Sequence, residues 1–241
     1  MKIIKFGGTS LQTQQARERA VSQIYSLCEK DRVVVVVSAM GRFPDPYATD
    51  TLLSLAEELD PWQRDLLMSA GEMVSTMVMT SLCRKRGIRC DAVSALQLGI
   101  FTDDQFNDAH VLAVTPEILL DRLKRSRCVV VPGFQGVTVR AEVTTLGRGG
   151  SDYTAILLAK ALGVGEVVLV TDVDGIYDHD PKTDPHARRY AWITPEQMLK
   201  LIDQGARVLM RRCVEEAQEN GIRIWVGKSI YDCGTWVETG S

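Results

Sequence analysis

Along the chain, short runs of β-branched residues alternate with longer stretches in which apolar positions recur every three or four residues. KIIKF and VVVVVSA read as buried strands, and Gln12 to Lys30 between them as a helix. From Trp62 to Arg86 runs a long helical pattern with basic residues in its last turns and Gly87 as a stop. Then follow CDAVSA, a helix from about Pro116, the strand CVVVP, a helix from Ser151, the strand EVVLVT and a last short strand, TWVET. The strands are apolar throughout rather than alternating, which is the pattern of a sheet covered on both faces. The alternation therefore predicts an α/β fold with a mostly parallel sheet between helices, and FQGVTVRAEVTTLG breaks it as a hairpin. In such folds ligands bind outside the carboxyl ends of the strands, so strand ends are where chemistry is sought.

Composition narrows the class further. Hydrophobic residues make up 45% and charged residues 24% of 241, the balance of a globular chain, large enough for one α/β domain or two smaller ones. No apolar run is read as approaching a bilayer span, and the opening MKIIKFGG lacks a signal-peptide core, so the expected location is the cytoplasm. A net charge of −3 offers no general attraction to nucleic acid, so an anionic substrate must be held by local cations. Cys28, Cys83, Cys90, Cys128, Cys213 and Cys233 show no CxxC spacing and are expected to be reduced, mostly buried thiols, with no metal site. His110, His179 and His186 give no ligand spacing either.

Five stretches at strand ends carry the candidate chemistry. In TTLGRGGSD, glycines bring backbone amides and a helix start to an open loop, a setting for an anion. Arg148 could grip a carboxylate or phosphate, and Asp152 suggests a cation or an orienting hydrogen bond; the plainer alternative is a tight turn with Ser151 capping the helix. In KFGGTS, Lys5 with Gly7 and Gly8 suits a polyphosphate, or else marks a strand ending in a turn. VVSAMG puts Ser38 at a strand end, with the hydroxyls of YATDT, Thr49 among them, soon after. Glu72, in SAGEMVST on the long helix, needs a positive partner, either a substrate ammonium or Arg148, in a ligand site or a structural ion pair. TDVDGIYDHDPKT does not fit a calcium loop, because Val170 and Pro181 fall at ligand positions; Asp172 for ribose, Tyr177 for a base and Lys182 for phosphate suit a nucleotide better. GKS at 227–229 lacks the first glycine of a phosphate-binding loop, and no GxGxxG follows the first strand.

Taken in order, KFGGTS, VVSAMG, SAGE, GFQG, TTLGRGGSD and TDVDGIYDHDP resemble the signature of aspartate kinases in the amino acid kinase family, over residues 1 to about 239. The resemblance implies a single catalytic domain over 1–241. Its fold would be a three-layer αβα sandwich of the carbamate kinase-like type, with L-aspartate in the N-terminal half and ATP over the C-terminal half. It implies Mg²⁺, transfer of phosphate from ATP to the side-chain carboxylate of L-aspartate in amino-acid biosynthesis, and a homodimer. By the same resemblance Lys5 and Asp152 are catalytic, and Ser38, Thr49, Glu72, Arg148 and Ser151 bind aspartate, Arg148 on the α-carboxylate and Glu72 facing the ammonium. Lys5, Gly7, Gly8, Ser10, Thr171, Asp172, Tyr177, Lys182 and Arg207 match nucleotide positions.

The chain departs from the family pattern in having lysine at 182 for arginine, arginine at 207 for lysine, and Met210 and Arg211 for histidine and proline. It also ends before the paired ACT domains that such kinases carry, so end-product amino acids are not expected to inhibit it. The competing readings are a sister kinase acting on glutamate or N-acetylglutamate, and a non-catalytic regulatory member.

Overall fold

The computed structural model describes residues 1–181 and 183–239. Its first half runs β1 (Lys2–Phe6), α1 (Gly8–Leu11), α2 (Gln14–Cys28), β2 (Val33–Val37), α3 (Thr49–Leu53), α4 (Pro61–Lys85), β3 (Cys90–Ala92), α5 (Ala95–Leu98), β4 (Ile100–Thr102), β5 (Val111–Val114), α6 (Glu117–Arg125) and β6 (Cys128–Pro132). The second half runs β7 (Gln135–Val137), β8 (Val143–Thr145), α7 (Gly150–Leu162), β9 (Glu166–Val170), β10 (Trp192–Ile193), α8 (Pro195–Asp203), α9 (Arg211–Glu219), β11 (Arg223–Gly227) and β12 (Gly234–Val237).

The main sheet has the order β10-β12-β11-β9-β1-β2-β6-β3. Its pairs are parallel except β11 with β12. β2 shows why the strands read as unbroken apolar runs. All five of its valines are 0% exposed: Val33, Val35 and Val37 point into a core shared with α1, α2 and α4, while Val34 and Val36 point into a second core under α6, α7 and α9. A strand sandwiched this way has no solvent face on which a polar residue could sit. The αβα layering is thus as expected.

A second sheet of order β5-β4-β7-β8 lies beside the first. The expected hairpin is its β7–β8 pair, antiparallel with Gln135 opposite Thr145; β4 and β5 went unread because their apolar runs are three or four residues long. The helix expected over Gln12–Lys30 is α2, one unbroken helix over Gln14–Cys28 that the Thr13 side chain caps by accepting a hydrogen bond from Ala16 N; the separate turn α1, before Gln12, was not read.

Helix α4 corrects another expectation: its 25 residues are long and apolar enough to cross a membrane by length and composition. Here it packs against α2, α3, β3, β6 and β8. The stripe it buries is largely polar, with Asp65, Ser69, Glu72, Thr76 and Thr80 recurring every three or four residues. Asp65 is 0% exposed, and its carboxylate accepts from Asn107 N at 2.9 Å and Thr145 N at 2.7 Å, tying the helix to the second sheet. Burial raises its pKa against the pull of those amides.

The six cysteines are free thiols and, except for Cys233, buried, as expected. Cys28, Cys83, Cys90 and Cys128 gather in one core at the amino-terminal end of β3 and β6.

Candidate active site

The cleft forms where the carboxyl ends of β1 and β2 face the start of α7. Side chains alternate along β1, so Ile4 and Phe6 enter one core and Ile3 the other. Lys5 shares the face of Ile3, which is the face under α7, and its Nζ lies 2.6 Å from Asp152 Oδ1 in the first helical turn. Both side chains are largely buried, so each charge is neutralised by the other in a setting where neither is well hydrated.

Helix α7 starts at Gly150 with Gly149 as its N-cap at φ +84°, a left-handed conformation that suits glycine. The plainer reading of Ser151 as the cap is therefore overturned: Ser151 lies inside the first turn, buried and facing the cleft.

Glu72 reaches the cleft because Gly71 lets α4 approach the loop after β2. A Cβ on Gly71 would stand 2.6 Å from both Ala39 Cβ and the Tyr47 carbonyl oxygen, closer than atoms pack. Glu72 is 3% exposed, and its Oε1 accepts from Ala39 N at 2.9 Å. Its Oε2 is buried with no hydrogen-bond partner. Desolvation pushes the carboxyl up to about 8, opposed by the Ala39 amide and by the charge of Lys5. Among the described residues Arg148 forms no ion pair, so the structural Glu72–Arg148 pair left open by the sequence does not form.

A cavity of about 540 Å³ brings these parts together. Lys5, Gly8, Ser38, Thr49, Glu72, Arg148 and Ser151, all expected from the sequence, line it. Arg64, Met68, Asn107 and Phe134 line it too and were not foreseen. A signal for the first two was present: Arg64, Met68 and Glu72 are four residues apart, so one helix face presents all three. Asn107 carried no such signal; it is placed by the bond of its N–H to buried Asp65, in a left-handed turn at φ 72°.

The residues expected at a nucleotide sit at the adjoining end of the sheet. Gly7 precedes α1 and donates its N–H to Val170 O at 3.0 Å, and Ser10 lies in that helical turn. Thr171 and Asp172 follow β9, the strand next to β1, and Asp172 pairs with Arg42 at 2.9 Å across from the loop after β2. The Tyr177 hydroxyl donates to Asp174 at 3.1 Å, and Arg207 is exposed between α8 and α9. None of Thr171, Asp172, Tyr177 and Arg207 lines the cavity that holds Lys5 and Glu72. Lys182 lies outside the described residues.

The Met210–Arg211 departure has a structural account. A Cβ on Gly149 would stand 3.1 Å from Met210 Cβ, so Met210 backs the glycine turn from behind. Arg211, in the first turn of α9, pairs with Asp203 and with Glu215.

Residues 1–228 match the model of the amino acid kinase family. The chain is 41% identical over 246 residues to aspartokinase 1 of Bacillus subtilis, covering 98% of this chain and 61% of that protein. It is 38% identical over 240 residues to an aspartokinase of Thermus thermophilus, covering 97% and 58%. E. coli aspartokinase III, solved in complex with aspartate and ADP, superposes with a TM-score of 0.86 at 26% identity, covering 100% of this chain and 65% of that one. The chain thus spans about six tenths of the length of the curated relatives it matches.

Proposed function

The chain belongs to the amino acid kinase family, and from that premise we propose that it transfers the terminal phosphoryl group of ATP to the side-chain carboxylate of L-aspartate, giving ADP and 4-phospho-L-aspartate. One observation carries the choice of acceptor: the orphaned, buried Oε2 of Glu72 in a cavity that also presents the unpaired guanidinium of Arg148. An α-amino acid supplies the complementary pair, an ammonium for Glu72 and an α-carboxylate for the fork of Arg148. N-acetylglutamate has no ammonium and would leave Glu72 unmatched. Ser38, Thr49 and Ser151 add hydroxyls around the same space, and the 38–41% identity to aspartokinases supports aspartate over glutamate.

In the proposed reaction a side-chain oxygen of aspartate attacks the γ-phosphorus, and the bond from that phosphorus to the β–γ bridging oxygen breaks, its electron pair leaving with ADP. The attacking carboxylate has an intrinsic pKa near ~4 and is already ionised at neutral pH, so no general base is required. The chain's task is to position the two reactants and neutralise charge. Lys5 stands near the carboxyl end of β1 and lines the cavity, and a Cβ on Gly7 would already touch its Nζ at 3.5 Å, so the glycine leaves the ammonium bare on that side. Lys5 would exchange part of its bond to Asp152 for the transferring group, whose charge spreads over its oxygens. Gly7 and Gly8, whose lack of side chains leaves room for phosphates, Ser10, and Thr171, Asp172, Tyr177 and Arg207 would hold the rest of the nucleotide, with Lys182, which lies outside the described residues, as the further candidate that the sequence offers.

The donor set fits a divalent cation such as Mg²⁺ in one place. Asp152 offers a hard carboxylate whose Oδ1 has no partner besides the Lys5 ammonium, beside the phosphate space. Such an ion, arriving on the phosphates, would neutralise charge on the group being transferred.

The test is a coupled assay of ADP release with aspartate, glutamate and N-acetylglutamate in turn. The expected result is a kcat/KM for aspartate far above the other two. A preference for either alternative refutes the acceptor, and no release above background with any of them favours a non-catalytic member.

A further inference from the structure

At the end of the main sheet opposite the cleft, three sulfur atoms converge. The Sγ atoms of Cys83, Cys90 and Cys128 all lie within 4.8 Å of one another, and Cys28 Sγ, which donates to Arg127 O at 3.9 Å, stands beside Cys128. Cys83 and Cys128 are 0% exposed, Cys90 6% and Cys28 8%. Four separate elements deliver them. Cys28 ends α2, Cys83 lies in the last turn of α4, and Cys90 and Cys128 open β3 and β6, where they are register partners on adjacent strands. The surroundings are apolar, with Ile24, Met79, Ile88 and Val130 in the same core.

We propose that these four cysteines form a structural site for a thiophilic divalent cation, Zn²⁺, held by Cys83, Cys90 and Cys128 with Cys28 as the fourth ligand. Zinc takes four thiolates tetrahedrally at about 2.3 Å, which sets neighbouring sulfurs about 3.8 Å apart, so Cys83, Cys90 and Cys128 close onto the ion with a contraction of about 1 Å or less, while Cys28, which is not one of those three, swings in from beside Cys128. Charge balance supports the site. Binding releases four protons to solvent and leaves a zinc tetrathiolate of net charge −2. Two guanidiniums are anchored at its rim: Arg84 Nε donates to Cys90 O at 2.8 Å, and Arg127 Nε to Cys28 O at 3.0 Å. The nearest carboxylate, Asp91, is engaged by Arg122 at 3.2 Å and Arg84 at 3.7 Å. The slight exposure of Cys28 and Cys90 gives an ion its way in. The role is structural, because the carboxyl end of β6, where the chain passes into Gly133 against Ser151 of the cleft, is the far end of that strand.

The test is titration of the reduced, metal-stripped chain with Co²⁺ as the spectroscopic probe and with Zn²⁺ as the native ion. One Co²⁺ per chain should give thiolate-to-cobalt charge-transfer bands with the intense visible bands of tetrahedral cobalt, displaced by Zn²⁺. Zn²⁺ should raise the unfolding midpoint by several degrees. Cys128→Ala and Cys28→Ala should each lose the cobalt spectrum, the rim variant Cys28→Ala with the native fold retained, while Cys213→Ala and Cys233→Ala keep it. Absence of the cobalt spectrum in the folded, reduced wild-type chain overturns the site. So does a spectrum that survives Cys28→Ala and Cys128→Ala together, or closure of a disulfide among these thiols with no metal uptake.

Discussion

Replacing Glu72 by glutamine separates the charge of this side chain from its place in the fold. The amide keeps an oxygen to accept from Ala39 N, at 2.9 Å in the native chain, and fills nearly the same volume. What it removes is ionisation in a dry pocket. Desolvation lifts the carboxyl from 4.5 to about 8 in the folded chain. A folded pKa above the unfolded one means that the folded chain binds the extra proton between those values, so ionisation disfavours folding as pH rises through them. Below pH 4.5 the wild type and Glu72→Gln should differ little; the gap should open in favour of the variant above that and level off above about 8. At about 1.4 kcal/mol per pH unit, the separation gives an upper limit of about 5 kcal/mol, and water entering the open cleft brings the expected gap to about 2–5 kcal/mol. Urea unfolding of both chains from pH 5 to 9 measures it, and all other titrating groups cancel in the difference. Saturating aspartate should close the gap by stabilising the wild type alone. For the same reason the wild type should bind aspartate about tenfold more weakly for each pH unit below about 8, since the ammonium must first draw off the Glu72 proton. A stability gap that stays flat across this range would refute the desolvated carboxyl and, with it, the assignment of the ammonium subsite.

Lys5→Ala should lower turnover by about 10² to 10³ or more through loss of the cation on the transferring group. Because it also strands Asp152, which Lys5 pairs at 2.6 Å, it should lower the thermal midpoint, and adding Asp152→Asn should recover the midpoint without the activity; retained turnover in folded Lys5→Ala would end that role for the lysine. Arg148→Lys keeps the charge but not the two-pronged geometry, so KM for aspartate should rise about tenfold with kcat little changed, as steady-state kinetics at saturating ATP will show. Gly71→Ala sets a methyl 2.6 Å from Ala39 Cβ and the Tyr47 carbonyl, which should cost about 1–3 kcal/mol in a denaturant melt and raise KM for aspartate by moving Glu72.

Much of this was legible in the chain itself. Unbroken valines at 33–37 announced a strand covered on both faces, and the glycine loops after β1 and before α7 announced the cleft. What could not be read follows from two physical causes. Elements of three or four residues, such as β4 and β5, are too short for a periodic pattern to emerge and owe their form to tertiary pairing. Groups brought together only by the fold leave no spacing: Asp65 meets Asn107 and Thr145 across distant parts of the sequence, and Cys28 meets Cys128. Helix α4 misleads for a third reason. Its buried stripe is the polar one, while Leu66, Met73 and Met77 lie exposed, which inverts the usual meaning of apolarity on a helix.

The charges of the cleft follow one rule that bears on how it works. Lys5 is neutralised by Asp152, and Arg42 by Asp172. Glu72 has its pKa pushed to about 8 and so holds its proton at neutral pH, and the unpaired Arg148 stands in water. No ion among these is both buried and alone, so the fold carries little of the penalty that such a concentration of charge would otherwise impose. Each arrangement is also one that a substrate can exchange for a better one. In the proposed reaction an ammonium would turn Glu72 into an ion pair, an α-carboxylate would replace water at Arg148, and a phosphate would draw Lys5 partly away from Asp152. Because every exchange trades one neutralised state for another, binding energy from the ends of the acceptor is available to align its reacting carboxylate rather than to recover lost hydration. The exchange at Lys5 also frees the Asp152 carboxylate at the moment phosphates arrive, which is when a divalent cation would need it.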